Sequence, residues 1–218
     1  MNQWNQRYYH GWKNKYPFTD IVSLVFNHFG GAKHRKKIRI LDLGCGGGHH
    51  LIFLAKEGFD YYGIDGSSAA IRLAKKRLRS EGFSTRSVIQ GLFENMPYPE
   101  NFFDCILDRG ALVCNRRQEI GVILAKLHRV LRPDGILHSQ YFHVSDFNRR
   151  GAKNLGQGDY TAFRGRLQQA GILHFVTERS LRRLFSRFKL LEIAKTSSES
   201  RILHPQRKSV WLTVTCRK

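Results

Sequence analysis

No stretch of about 18 or more apolar residues occurs in the 218-residue chain, so nothing in it reads as a helix that spans a bilayer. The opening segment, MNQWNQRYYHGWKNK, is polar and aromatic and lacks the apolar core of a secretory signal, so a soluble, cytoplasmic protein with no membrane partner is expected. The four cysteines, Cys45, Cys105, Cys114 and Cys216, form no C-x-x-C pair. One of them lies inside a glycine-rich turn, where a bridge would obstruct a ligand. They read as reduced thiols, with no metal site and no disulfide framework. Acidic residues are scarce: 17 stand against 37 Lys and Arg, a net charge of +20. That excess invites a polyanion, yet the bases are scattered over 33–39, 72–79, 149–153, 164–166, 179–189 and 207–208. Scattered runs of this kind are usually solvated faces, and no single segment holds the charge.

With 41% hydrophobic residues the chain suffices for one sizeable core, so a single domain spanning 1–218 is expected. After residue 37, strand and helix patterns alternate, which predicts a doubly wound α/β sheet. The expected strands are IRILDLG (38–44), DYYGID ending at Asp65, STRSVIQG, FFDCILD (102–108) and ILHSQYFH, with KLLEIAKT and SVWLTVTC closing the sheet. The expected helices are HHLIFLAKEG, closed by Gly58; SSAAIRLAKKRLRSEG, capped by Ser67 or Ser68; and QEIGVILAKLHRVL, ended by RPDG. TERSLRRLFSRF is a further helix with Thr177 as N-cap; Ser180 stands at its N3 position, where a capping box has Glu or Gln, so no capping box is expected. Residues 1–36 read as an N-terminal helical cap, with PFTDIVSLVFNHF its better amphipathic segment. From 145 to 174 the pattern fails among glycines, and this insertion reads as a substrate lid rather than a core element.

The stretch ILDLGCGGGHH, residues 40–50, is a strand running into a glycine turn, and such a turn suits a nicotinamide dinucleotide or S-adenosylmethionine. The dinucleotide fingerprint is G-x-G-x-x-G. Here the glycines are Gly44, Gly46, Gly47 and Gly48, and His49 occupies the place of the third. Asp42 precedes the turn, where a negative charge opposes a pyrophosphate but suits an ammonium and a sulfonium. Asp65, about 20 residues on, is placed to accept from both ribose hydroxyls of either cofactor.

LDLGCGGG, GID and FFDCILD together resemble the class I S-adenosylmethionine-dependent methyltransferases, and LHRVLRPDGIL is similar to that family's entry into its fifth strand. The resemblance covers residues 38–143. It implies a Rossmann-like seven-stranded sheet, the last strand antiparallel, with the cofactor over the C-terminal edges of the first strands. By position it implies that Asp42, Gly44, Cys45, Gly46 and Gly48 line the methionine and ribose side, and that Asp65, with Gly66 beside it, holds the ribose. The family commonly has an Asp for the adenine amino group where this chain has Leu92; backbone groups around Leu92 and Phe93 are expected instead.

The methyl acceptor is expected near the ends of strands four and five, close to Asp108, Arg109, Tyr141 and His143. LDRGALV resembles the D-R-G segment of thiopurine-type and tellurite-resistance small-molecule methyltransferases, and WNQRY is similar to that group's aromatic opening. That likeness implies a small-molecule acceptor, with Trp4, Tyr8 and Trp12 closing over the cofactor. Asp108 reads as a partner for the cofactor's ammonium or the acceptor, or simply for Arg109. His143 reads as a candidate general base, or as an ordinary strand-end histidine. His49 and His50 read as packing or capping residues at a helix start. The alternative is an RNA methyltransferase that tracks phosphates with its basic surface, although DRGA stands where base-flipping enzymes carry an N-P-P-Y-type tetrapeptide.

Overall fold

The computed structural model describes Asn5 and residues 14–199 and 207–218. The sheet order is β3 (Val88–Gln90), β2 (Asp60–Asp65), β1 (Arg39–Leu43), β4 (Phe103–Asp108) and β5 (Leu131–His143), all parallel. The far edge of β5 pairs antiparallel with β10 (Lys208–Arg217), which pairs in turn with β9 (Lys189–Glu199). These seven strands form the expected doubly wound α/β sheet with its last strand reversed, and three further strands, described below, extend it to ten.

Alternation along the central strands buries both faces, as a sheet covered by helices on each side requires. Ile40, Cys105 and Leu107 pack against Ile21, Leu24 and Val25 of α1 (Thr19–Phe29). Leu41, Leu43 and Ile106 join the opposite core with Ile120, Leu124 and Leu127 of α4 (Arg117–Val130). Between these helices in sequence come α2 (His49–Lys56) and α3 (Ser68–Ser80), which pack on each other and on β2 and β3. In α3 the residues Ala70, Ile71, Ala74 and Leu78 recur at helical spacing and are buried, while Arg72, Lys76 and Arg79 are exposed. Ser67 begins it by accepting the Ala70 N–H at 3.1 Å, and losing that cap costs about 1 kcal/mol.

Three local expectations are corrected. RPDG does not separate helix from strand, because β5 already starts at Leu131 and absorbs an irregularity in its pairing with β4 before Ile136. Thr177 and Ser180 form a reciprocal capping box on α5 (Glu178–Leu184): Thr177 Oγ1 accepts from Ser180 N at 3.1 Å and Ser180 Oγ from Thr177 N at 2.9 Å. A serine hydroxyl reaches back as well as a Glu would, because the first turn brings it within hydrogen-bond range.

The third correction concerns the glycine-rich insertion. It contains β6 (Lys153–Gly156), β7 (Asp159–Thr161) and β8 (Leu173–Val176), an antiparallel ribbon. β8 pairs with Phe142 and His143 of β5, beyond the point where β4 ends opposite Ser139. Phe163, Ala170, Leu173 and Phe175 of this segment are buried in the main core. The glycines punctuate turns, and the apolar residues between them are core. Asp159 ties the ribbon down by accepting from Arg117 N at the start of α4 (3.1 Å) and by its contact with His174 Nδ1 (2.7 Å).

Candidate functional site

The C-terminal edges of β1, β2, β4 and β5 converge on a cavity of about 570 Å3, within the range of small-molecule sites. Its first wall is the glycine turn. Gly44 has φ +72°, and a Cβ there would lie 2.3 Å from that of Ala111, so the turn can approach the segment after β4 only without a side chain. Gly48 has φ +79° and would place a Cβ 2.9 Å from Ala74 Cβ; it seats the turn on α3 and does not line the cavity.

Asp65 fastens the second wall to the first. Its Oδ2 accepts from Gly46 N at 3.0 Å and its Oδ1 from Ser67 N at 2.8 Å. Burial raises its pKa, and these two backbone bonds oppose that rise. A carboxylate has about four acceptor positions, so two remain for a ligand in the cavity that Asp65 borders. Gly66, Leu92 and Phe93 continue this wall, and Leu92 is 56% exposed, an open apolar surface beside Asp65.

Asn5 and Asn14 each bond to this end of the site. Asn5 Oδ1 accepts from Ser67 Oγ at 2.7 Å and Ala69 N at 3.2 Å, and Arg77 donates to Asn14 O at 2.6 Å and Gly47 O at 3.0 Å. Trp4, Tyr8 and Trp12 lie outside the described residues.

Asp42 is 2% exposed yet borders the cavity. Its Oδ1 lies 3.3 Å from His50 Nδ1, while its Oδ2 and His50 Nε2 are buried with no hydrogen-bond partner among the described residues. His49 lies beside His50 with its ring tilted by 55°, centroids 4.1 Å apart, and its Nε2 likewise has no partner among the described residues. Burial, together with the charges of His50, Arg77 and Arg109 and against that of Asp42, pushes the His49 pKa down to about 4.

An aromatic wall leads from these histidines to β5. Phe18 lies edge-on to His49, the Arg109 guanidinium is 4.1 Å from the Phe18 ring and 5.6 Å from that of Trp211, and Trp211 contacts Phe142 at 3.9 Å. Asp20 of α1 holds Arg109 Nε at 3.1 Å and accepts from Gln140, which docks α1 on the ends of β4 and β5. Val113, Asn115, Leu167 and Leu173 complete this half.

Of the residues expected from sequence, Asp42, Gly44, Gly46, Asp65, Gly66, Leu92 and Phe93 line the cavity. Cys45 does not; it is sealed against Gly63, where burial raises its thiol pKa well above the ordinary range. Asp108 is fully buried and outside the lining. It accepts from Ala111 N at 2.7 Å, Leu112 N at 3.1 Å and Ser139 Oγ, so its work is to shape the turn after β4. His143 is also off the cavity wall; its Nδ1 accepts from Ser145 N at 3.1 Å and lies 2.6 Å from Ser145 Oγ. Tyr141 is fully buried. Sequence reasoning missed Phe18, Phe142, Trp211 and the place of His49 and His50 on the cavity wall; the adjacent histidines after the glycines were the available signal.

Residues 34–170 match the family model described as a methyltransferase domain. The chain is 35% identical over 98 residues to an uncharacterized methyltransferase of Synechocystis, covering 45% of this chain and 44% of that protein. It is 33% identical over 110 residues to the phthiotriol/phenolphthiotriol dimycocerosates methyltransferase of Mycobacterium tuberculosis, covering 50% and 37%. It thus spans about half or less of these curated relatives' length. Among solved structures, the 1,6-didemethyltoxoflavin-N1-methyltransferase of Burkholderia thailandensis aligns with a TM-score of 0.72 at 20% identity, covering 98% of this chain and 84% of that one. A methyltransferase from Methanosarcina mazei aligns at 0.67 and 22% identity, covering 93% and 98%.

Proposed function

We propose that this chain, which belongs to the methyltransferase domain family, transfers a methyl group from S-adenosylmethionine to a small-molecule acceptor. The observation that carries the reading is the pair of acids on either side of the glycine turn. Asp65 keeps two acceptor positions free for a ribose, and Asp42 borders the cavity with a carboxylate whose charge a cationic group would balance. Gly44 and Gly46 leave the backbone open between them, and Leu92 and Phe93 offer an apolar seat for a purine. When bound, the cofactor supplies an activated methyl on a sulfonium. The protein's part is to hold that donor, exclude water and align the nucleophile.

The acceptor half is bounded by Phe18, Phe142, Trp211, Val113, Leu167 and Leu173, so it suits a compact apolar or aromatic compound. Arg109, from the D-R-G segment that resembles thiopurine-type and tellurite-resistance enzymes, stands on this wall with its charge balanced by Asp20. The methyltransferase of similar fold from Burkholderia thailandensis holds 1,6-didemethyltoxoflavin and S-adenosylhomocysteine, which agrees with this reading.

One observation favours a second reading. Asp42, Asp108, Asp146 and Asp159 are buried, so the exposed surface is more basic than the net +20, as an enzyme acting on RNA requires. Calorimetry with S-adenosylmethionine and NAD, followed by mass spectrometry of methylated products from small-molecule and RNA extracts, tests both levels. Binding of NAD alone removes the cofactor assignment; methyl groups on RNA remove the small-molecule acceptor.

A further inference from the structure

The cavity reverses the charge balance of the chain. The sequence holds 37 Lys and Arg against 17 Asp and Glu, yet the charged residues that border the cavity are Asp42, Asp65, Glu94, Glu119 and a single Lys or Arg, Arg109. Asp42 and Asp65 belong to the donor's half. Arg109 is therefore the one guanidinium or ammonium that the described wall offers to an acceptor.

The surroundings of Arg109 decide which part of it a ligand meets. Its guanidinium carbon lies 4.1 Å from the centre of the Phe18 ring and 5.6 Å from that of Trp211. Both rings line the cavity, so the charged end of the side chain, and not only its backbone, stands at the wall. Its Nε donates to Asp20 Oδ2 at 3.1 Å, which fixes the turn of the guanidinium about its stem. Nη1 and Nη2 donate to nothing among the described residues, and neither is among the buried side-chain atoms that lack a partner. With the side chain 25% exposed, these two nitrogens are open to a ligand. They carry four N–H bonds in one plane, two of which point in parallel from the edge away from the stem.

We propose that the methyl acceptor carries one carboxylate on an aromatic or apolar body, and that Arg109 is the specificity-determining residue that receives this carboxylate on its Nη1–Nη2 edge. This rests on the methyltransferase reading above. A carboxylate matches that edge with two parallel charge-assisted bonds. Asp20 uses the Nε side, so the two carboxylates do not compete for the same N–H groups. Phe142, Leu167 and Leu173 supply the apolar surface for the rest of the acceptor. Glu94 and Glu119 limit the charge that is admitted, since both border the same cavity and repel a phosphate or other polyanion. Glu119 is held in place, accepting from Arg116 N at 2.7 Å.

The test uses the full chain loaded with S-adenosylhomocysteine and two probes of one shape, 2-naphthoate and its neutral counterpart 2-naphthamide, with calorimetry as the readout. The wild type is expected to bind the naphthoate at least about tenfold more tightly than the amide. Arg109→Gln is expected to bring the two within about twofold. Arg109→Lys, a point charge without the fork, is expected to fall between. Equal binding of both probes by the wild type overturns the proposal. So does a preference that survives in Arg109→Gln, which would place the anion elsewhere on the basic surface. If Arg109→Gln does not fold, Arg109→Lys decides, and a preference equal to that of the wild type overturns the proposal. The donor's own carboxylate is the other source of this chemistry. An Arg109→Gln variant that binds S-adenosylmethionine about tenfold more weakly, yet decarboxylated S-adenosylmethionine as the wild type does, gives Arg109 to the donor and overturns the assignment to the acceptor. Absence of S-adenosylhomocysteine binding by the wild type removes the methyltransferase reading itself, and the naphthoate preference of the unloaded protein then decides this one.

Discussion

Asp65 Oδ2 accepts the backbone N–H of Gly46 at 3.0 Å, so one carboxylate at the end of β2 both pins the glycine turn after β1 and borders the cavity. The two roles share four acceptor positions, two spent on Gly46 and Ser67 and two left over. Asp65→Ala is therefore expected to weaken S-adenosylmethionine binding by about 1 to 3 kcal/mol, measured by calorimetry. An unchanged dissociation constant would place the ribose elsewhere.

Asp108 carries a different signature. Burial pushes its pKa up to about 6, against the opposing bonds from Ser139, Ala111 and Leu112. Its unfolded value is about 4, so the folded state binds the extra proton between these limits. Its contribution to stability is full below about pH 4 and is lost as pH rises through about 6. Asp108→Asn is expected to flatten that part of the profile, read from urea unfolding midpoints across the interval. Because Asp108 does not line the cavity, cofactor affinity in this variant is expected to stay close to wild type. A wild-type stability that instead rises from pH 4 to 6 at this site would contradict the burial argument.

Asp159 is the clamp of the insertion, joining Arg117 N and His174 Nδ1. Asp159→Ala leaves both without a partner and is expected to cost about 1 to 3 kcal/mol. Burial lowers the His174 pKa, and the lost carboxylate opposed that fall, so the variant's His174 is expected to titrate lower still. Amide exchange should quicken first across 153–161. Uniform quickening over the whole chain would mean that the ribbon does not open as a separate unit.

What the sequence reveals and what it conceals follow from the range of the interactions. The glycine turn, Asp42 and Asp65 were legible because near neighbours fix them: two strands, a turn and a helix lie within the 27 residues from Arg39 to Asp65. The doubly wound class was legible because β1, β2 and β4 are each followed by a helix, α2, α3 and α4. Phe18, Trp211 and Phe142 come from three distant segments, and their meeting depends on how α1 and β10 dock on β5, which no local pattern encodes. The insertion misled because its glycines mark turns while Phe163, Ala170 and Leu173 are spaced too irregularly to show a period. His143 read either as a candidate base or as an ordinary strand-end histidine; it lies off the cavity lining, with its Nδ1 engaged by Ser145.

The charge supplies the last prediction, because the two readings of the acceptor part there. If RNA is the partner, each neutralised phosphate releases a counterion and affinity falls by orders of magnitude between about 50 and 200 mM salt. If the acceptor is small, only charges near the cavity matter, and screening changes the interaction by about one or two charges' worth. Those nearby charges nearly cancel: Arg109 is paired with Asp20 at 3.1 Å, and Asp42 and Asp65 are balanced by the donor they are proposed to hold. The remaining bases, such as Arg72, Lys76 and Arg79 on α3, lie on an exposed helix face and are not among the cavity's lining residues. Turnover is therefore expected to vary weakly with salt over this range, and RNA captured at low salt to be released without loss of activity on the small acceptor. A steep log–log slope of several units in turnover itself would transfer the assignment to RNA.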